Sequence, residues 1–150
     1  MTAVFPCRRG KGGSHALRLS HITLIAAITL LLAACAPTQQ DYAPAAAEGR
    51  LEKAALLSAD GVSLPYRSWV PAHPRAVIVA LHGMNDYSNA FAATGTFMRA
   101  HGIAVYAYDQ RGFGAASEPG IWGNNENLKR DLKQMLAAVA ARHPRVPLYV

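Results

Sequence analysis

The feature that most constrains this chain is the run Ala76-Val77-Ile78-Val79-Ala80-Leu81, which passes without interruption into His82-Gly83-Met84. A short unbroken apolar run, rich in β-branched residues, reads as a strand buried on both faces, as in a parallel sheet between helix layers. The His-Gly break puts backbone N–H groups at the strand's C-terminal end, where open α/β sheets build their sites. A second such run, Ile103-Ala104-Val105-Tyr106-Ala107-Tyr108, ends in Asp109-Gln110-Arg111-Gly112-Phe113-Gly114. Between them, Phe91 to His101 reads as a helix with Phe91, Gly95 and Met98 on one face and Ser88 as its N-cap. Gly95 would let this helix approach the sheet closely, and Gly102 stops it. Strand, helix and strand form one βαβ unit.

The flanking segments extend this unit. Glu52 to Ser58, the turn Ala59-Asp60-Gly61 and Val62 to Val70 have the pattern of a β-hairpin, Asp-Gly being its turn. Asn125 is placed to cap a helix running through Arg142. Leu128, Leu132, Met135, Leu136 and Val139 make its apolar stripe, with Lys129, Arg130, Lys133 and Gln134 toward water. A further apolar strand begins at Val146.

The strand ends carry a family resemblance. "LHGMNDYSNAF" followed by "VYAYDQRGFGAASEPGIW" resembles the α/β-hydrolase fold, in its lysophospholipase and monoacylglycerol-lipase-like (serine aminopeptidase S33-type) branch, over Glu52 to Val150. The resemblance implies a mostly parallel sheet with helices on both faces, and a serine hydrolase that cleaves carboxylic esters through an acyl-enzyme. It also implies one oxyanion donor from the loop after the His-Gly strand, here the backbone N–H of Met84. Gly83 would permit the sharp backbone path and His82 would support the loop. Asp109 and Arg111 would be chiefly architectural. Trp122 would either line an acyl pocket or anchor its loop.

No serine in residues 1–150 sits in Gly-x-Ser-x-Gly; the near misses are Gly12-Gly13-Ser14-His15-Ala16 and Gly61-Val62-Ser63-Leu64-Pro65. The chain is therefore expected to stop before the family's nucleophile elbow, and to be inactive alone on short-chain p-nitrophenyl esters. Gly112-Phe113-Gly114 does not make a dinucleotide loop, because Ser117 stands in the third glycine place and Pro119-Gly120 interrupts the helix that should follow. Two other readings stay open. One is a non-catalytic envelope lipoprotein using the βαβ scaffold as a binding module; the other is a different chemistry on this fold, as a peptidase, epoxide hydrolase or dehalogenase.

The N-terminus has the form of an export signal. Arg8, Arg9, Lys11 and Arg18 precede a mostly apolar stretch of 13 residues, 22–34, too short for the ~20 that span a bilayer. It closes in Leu32-Ala33-Ala34-Cys35, similar to the bacterial lipoprotein signal, which implies acylation at Cys35 and, with Ala36 following, an outer-membrane address in a bacterium that has one. Residues 1–34 are thus expected as the signal, 35–51 as a tether rich in Ala, Pro and Gln, and 52–150 as the hydrolase portion. The formal net charge of +6 belongs mostly to the leader, since from Cys35 onward 11 basic residues face 9 acidic ones. Nothing clusters into a basic face for nucleic acid. Both cysteines, Cys7 and Cys35, lie in the N-terminal 35 residues, and His73, His82, His101 and His143 sit singly, so neither a metal nor another cofactor is expected. The expected partners are a small-molecule ester or lipid substrate and, through Cys35, a membrane; the pattern is silent on oligomeric state.

Overall fold

The computed structural model describes residue 21, residues 24–29 and residues 38–150. Residue 21 and residues 24–29 are helical and exposed. They belong to a unit of their own, and Cys7, Cys35 and most of the expected leader lie outside the described residues. Among the described residues no helix is long and apolar enough to cross a membrane.

From Thr38 the chain builds a mixed sheet. Its elements are β1 (Arg50–Leu51), β2 (Ala55–Leu57), β3 (Ser63–Trp69), β4 (Ala76–Ala80), α1 (Ala92–Ala100), β5 (Ile103–Tyr108), α2 (Asn125–Arg142) and β6 (Leu148–Tyr149). The strand order is β1-β2-β3-β5-β4-β6. β3 is shared end to end: Ser63–Pro65 pairs antiparallel with β2, and Tyr66–Trp69 pairs antiparallel with β5. β4 runs parallel to both β5 and β6. The expected hairpin is present, its turn closed by Gly61 at φ 84. The strand expected over Glu52 to Ser58 is shorter, Ala55–Leu57, and a strand not expected, Arg50–Leu51, pairs antiparallel with it.

Register sorts the strand side chains onto two faces. Val77 and Val79 pair with Ala104 and Tyr106, and these four, with Leu56, Leu64, Met135 and Val139, form one buried core under α2. The opposite face carries Ile78, Val105 and Trp69, and α1 lies over the strands of the last two. Complete burial on both faces falls to β5, where Ala104 through Tyr108 are all buried; on β4, Ala76, Ile78 and Ala80 are only half-buried, since the nine-residue α1 packs over β3 and β5. Gly95 permits the close approach: a methyl there would overlap the Trp69 indole. Gly102, at φ 76, ends α1.

Both helix starts lie one step from where the residue pattern put them. α2 is capped by Asn124, not Asn125, whose side chain accepts from the Asn127 N–H at 2.9 Å. Before α1, residues 88–91 form a single 3-10 turn in which Ser88 contributes no side-chain cap. Its N–H donates to Asp109 Oδ1 at 2.9 Å, so the cap comes from the end of β5. On α2, Lys129 and Lys133 do face water. Arg130 and Gln134 fold back onto the 58–60 turn, and Asn127 and Asp131 are fully buried in one i, i+4 row with Met135 and Val139.

The segment expected as a tether is docked over most of its length. Trp122 N–H donates to Thr38 O at 3.1 Å and Gln40 N–H to Trp122 O at 2.7 Å. The carbonyls of Gln40 and Asp41 accept from Asn124 and Asn127, each at 3.0 Å, and Ala43 O accepts from Arg130. A segment this rich in Pro and Ala has few side-chain donors, so its backbone carbonyls are what α2 holds.

Candidate active site

The parallel register Ala80↔Ala107 brings the ends of β4 and β5 side by side, which sets His82 against Gln110. His82 is 7% exposed. Its Nε2 lies 3.0 Å from the Gln110 backbone N–H, which can only donate, so Nε2 accepts and the ring proton of the neutral imidazole sits on Nδ1. Nδ1–H then donates to Gly83 O at 2.8 Å. The Gln110 side-chain Nε2 donates to His82 O at 2.7 Å, tying the loop to β5 a second time. Phe113 packs edge-on against the imidazole, ring centres 5.4 Å apart.

This arrangement aims a specific donor. In a planar trans peptide the C=O and the following N–H point in opposite directions. His82 Nδ1–H and, more weakly, the Asp86 N–H at 3.3 Å both hold the Gly83 carbonyl, and thereby fix the direction of the Met84 N–H. Among the described residues the Met84 N–H donates to nothing, and the Met84 side chain is 69% exposed. The tight backbone of this loop is taken at Asn85, at φ 62, whereas Gly83 has an ordinary φ and open space where a side chain would be. Asn is the residue other than Gly that most readily enters the left-handed region.

Asp109 and Arg111 are both buried and both committed to architecture. Asp109 accepts from the N–H of Ser88 and, at 2.8 Å, of Ala115, joining the 3-10 turn to the loop after β5. Gly114, at φ 56, lies so close that a methyl would strike the Asp109 carboxylate. Arg111 forks onto Asp131 (Nε–Oδ2 2.6 Å, Nη2–Oδ1 2.9 Å) and reaches Asp60 at 2.8 Å and Ser58 Oγ at 3.2 Å. Arg130 adds a second cation to Asp60 at 2.6 Å. Burial alone would raise the Asp60 carboxyl, yet the Arg111 bond and the two guanidinium charges hold it below its ordinary value. For Arg111 burial works against the charge and the two carboxylates outweigh it, so its pKa is held above the usual value.

Trp122 anchors its loop. Besides its backbone bonds to residues 38–40, it stands edge-on to Phe113 at 5.4 Å, so Trp122, Phe113 and His82 form a continuous aromatic line. A cleft of about 510 Å³ lies between Pro65–Arg67 of β3 and the Tyr87–Ser88 turn, with Asp109 in its wall; neither Met84 nor Trp122 lines it. Among the described residues no cluster of His, Cys, Asp or Glu has the makings of a metal site. Gln110, Asn124, Asn127 and Asp131 are the participants that the residue pattern did not single out.

The strand order, the crossing from β4 through α1 to β5, and the loop at their C-terminal ends define the α/β-hydrolase fold. The family described as serine aminopeptidase, S33, matches residues 72–150, more than half of the sequence, and the chain belongs to that family. It is 30% identical over 96 residues to an abhydrolase domain-containing protein of Dictyostelium discoideum, covering 63% of this chain and 10% of that one. It is 28% identical over 92 residues to a monoacylglycerol lipase of Mycolicibacterium smegmatis, covering 60% and 33%. Among solved structures it resembles an esterase from Exiguobacterium antarcticum (TM-score 0.50, 18% identity, 68% of this chain and 34% of that one). It also resembles a soluble variant of the monoglyceride lipase of Saccharomyces cerevisiae in complex with a substrate analogue (TM-score 0.52, 18% identity, 75% and 38%). The chain thus spans a third or less of the length of these curated relatives.

Proposed function

We propose that the chain contributes the oxyanion loop of a serine hydrolase that cleaves carboxylic esters, with monoacylglycerols or lysophospholipids as substrates. The observation that carries this is the Met84 N–H, aimed by His82 and engaged by no described partner. Such a donor stabilises charge that develops on a carbonyl oxygen, and it does so without reorganising at the moment of reaction. In the proposed cycle a serine Oγ attacks the ester carbonyl and passes its proton to a histidine. The carbonyl oxygen becomes an oxyanion bound by Met84 N–H and by the N–H after the nucleophile. The tetrahedral adduct collapses to an acyl-enzyme and the alcohol leaves with the histidine's proton. Water then repeats the sequence to release the acid.

Residues 1–150 supply one of the two donors, and the serine, acid and base of this cycle come from outside them. His82 is not that base: its Nε2 already accepts from Gln110 and its Nδ1–H is spent on Gly83. The proposal includes acylation at Cys35 and residence in the bacterial cell envelope, at the outer membrane where one exists. A fluorophosphonate probe applied to the protein together with its nucleophile-bearing portion should label one serine within Gly-x-Ser-x-Gly and abolish monoacylglycerol hydrolysis. An unlabelled protein that turns over no ester would leave the binding-module reading in its place.

A further inference from the structure

The docking of residues 38–43 has a geometric consequence. A free tether of the 14 residues 36–49 would hold the domain at a root-mean-square distance of roughly 20 Å from its attachment, with little preference for orientation. The first docked residue is Thr38, held on Trp122, and only three residues of chain reach separate it from Cys35. Fully extended, that reach is about 10 Å, comparable to the polar layer on one side of a bilayer, roughly 5–8 Å. The point held closest is the Trp122 loop, which the aromatic line through Phe113 joins to His82 and the Met84 loop. Met84 and Tyr87, 69% and 42% exposed, are the apolar side chains this loop presents.

We infer that the domain sits directly on the bilayer that holds Cys35, with the Trp122 loop and the oxyanion loop toward the lipid and the opposite end of the sheet away from it. This rests on the proposed acylation of Cys35. A substrate carried in the same bilayer would meet the Met84 donor without leaving the membrane surface. The face gains nothing from charge, since the exposed charged residues of these two loops, Asp86 and Glu118, are both acidic; the short covalent reach sets the orientation.

The test uses the full chain with its own leader and Cys7→Ser, acylated in a bacterial host and reconstituted in vesicles of phosphatidylethanolamine and phosphatidylglycerol. Spin labels are placed on Met84→Cys and, at the far end of β4, on exposed His73→Cys. Relaxation by a water-soluble nickel chelate is then compared with relaxation by oxygen. The inference expects the label at 84 to be shielded from nickel and open to oxygen, and the label at 73 to show the reverse. A flexible Gly/Ser insertion of about 20 residues between Cys35 and Thr38, with a root-mean-square span near 25 Å, should erase the difference while the protein stays on the vesicles. Equal nickel access at both positions in the uninserted chain would overturn the orientation while leaving the anchor and the hydrolase reading standing. A chain that incorporates no labelled palmitate at Cys35 would overturn the anchor and the inference with it.

Discussion

Replacing Met84 by proline is expected to lower kcat by about 10²- to 10³-fold in the assembled hydrolase, the usual cost of removing one oxyanion donor. Proline has no N–H, so the substitution deletes a backbone donor that no ordinary side-chain change can reach. The fold should tolerate it. The Met84 side chain is 69% exposed and its N–H closes no bond among the described residues. The residue before the new proline is Gly83, which has room and freedom to adjust. Because the lost interaction exists only in the transition state, kcat and kcat/KM should fall together. Met84→Ala, which keeps the N–H, should stay close to the parent. A Met84→Pro protein with parental turnover, or a Met84→Ala protein as damaged as Met84→Pro, would contradict the assignment.

Arg111→Met should be strongly destabilising. It strands the Asp60 and Asp131 carboxylates, 2% and 1% exposed, in a site built around a guanidinium, leaving only Arg130 near Asp60. Breaking a buried ion pair from one side costs about 3–5 kcal/mol, a large share of the 5–15 kcal/mol that holds a typical domain. The melting temperature should fall by roughly 10–20 °C. Adding Asp131→Leu to Arg111→Met removes the orphaned charge and leaves Asp60 paired with Arg130, and should recover most of the loss. Asp60 gives the cluster its pH dependence. Its folded carboxyl is held below the ordinary 3.8, so its contribution is present above that value and fades as pH falls through the folded one. An Arg111→Met protein that melts at the parental temperature would refute this account of the loop.

What was legible in the sequence followed apolar periodicity and local turn chemistry. β4, β5, the hairpin turn at Gly61 and the stop at Gly102 all rest on neighbours within a few residues, and Gly95 was readable as a missing side chain on its helix although its partner, Trp69, lies 26 residues earlier. What escaped depends on partners far along the chain. Ser88 looks like a cap until Asp109, 21 residues later, takes its N–H. Arg130 and Gln134 look like surface because the turn that claims them is some 70 residues earlier. Asn127 and Asp131 lie on the same helical row as Met135 and Val139, and that spacing was available to read. Their polarity hid them, since a buried carboxylate makes sense only once Arg111 is known to reach it. The same holds for residues 38–43, whose composition gives no periodicity and whose docking is carried by main-chain carbonyls. In the site, the His-Gly strand end was readable as a motif, but the tautomer of His82 and the aim of the Met84 N–H required Gln110 in place.

The most direct measurement is the amide proton shift of Met84, read by 15N-edited NMR on the assembled hydrolase before and after its serine is phosphonylated. A phosphonyl oxygen in the oxyanion position should draw the Met84 amide strongly downfield, with the Asn85 and Asp86 amides moving far less. A Met84 amide that does not move when the serine is phosphonylated would mean that this N–H does not bind the oxyanion, and the central claim would fail.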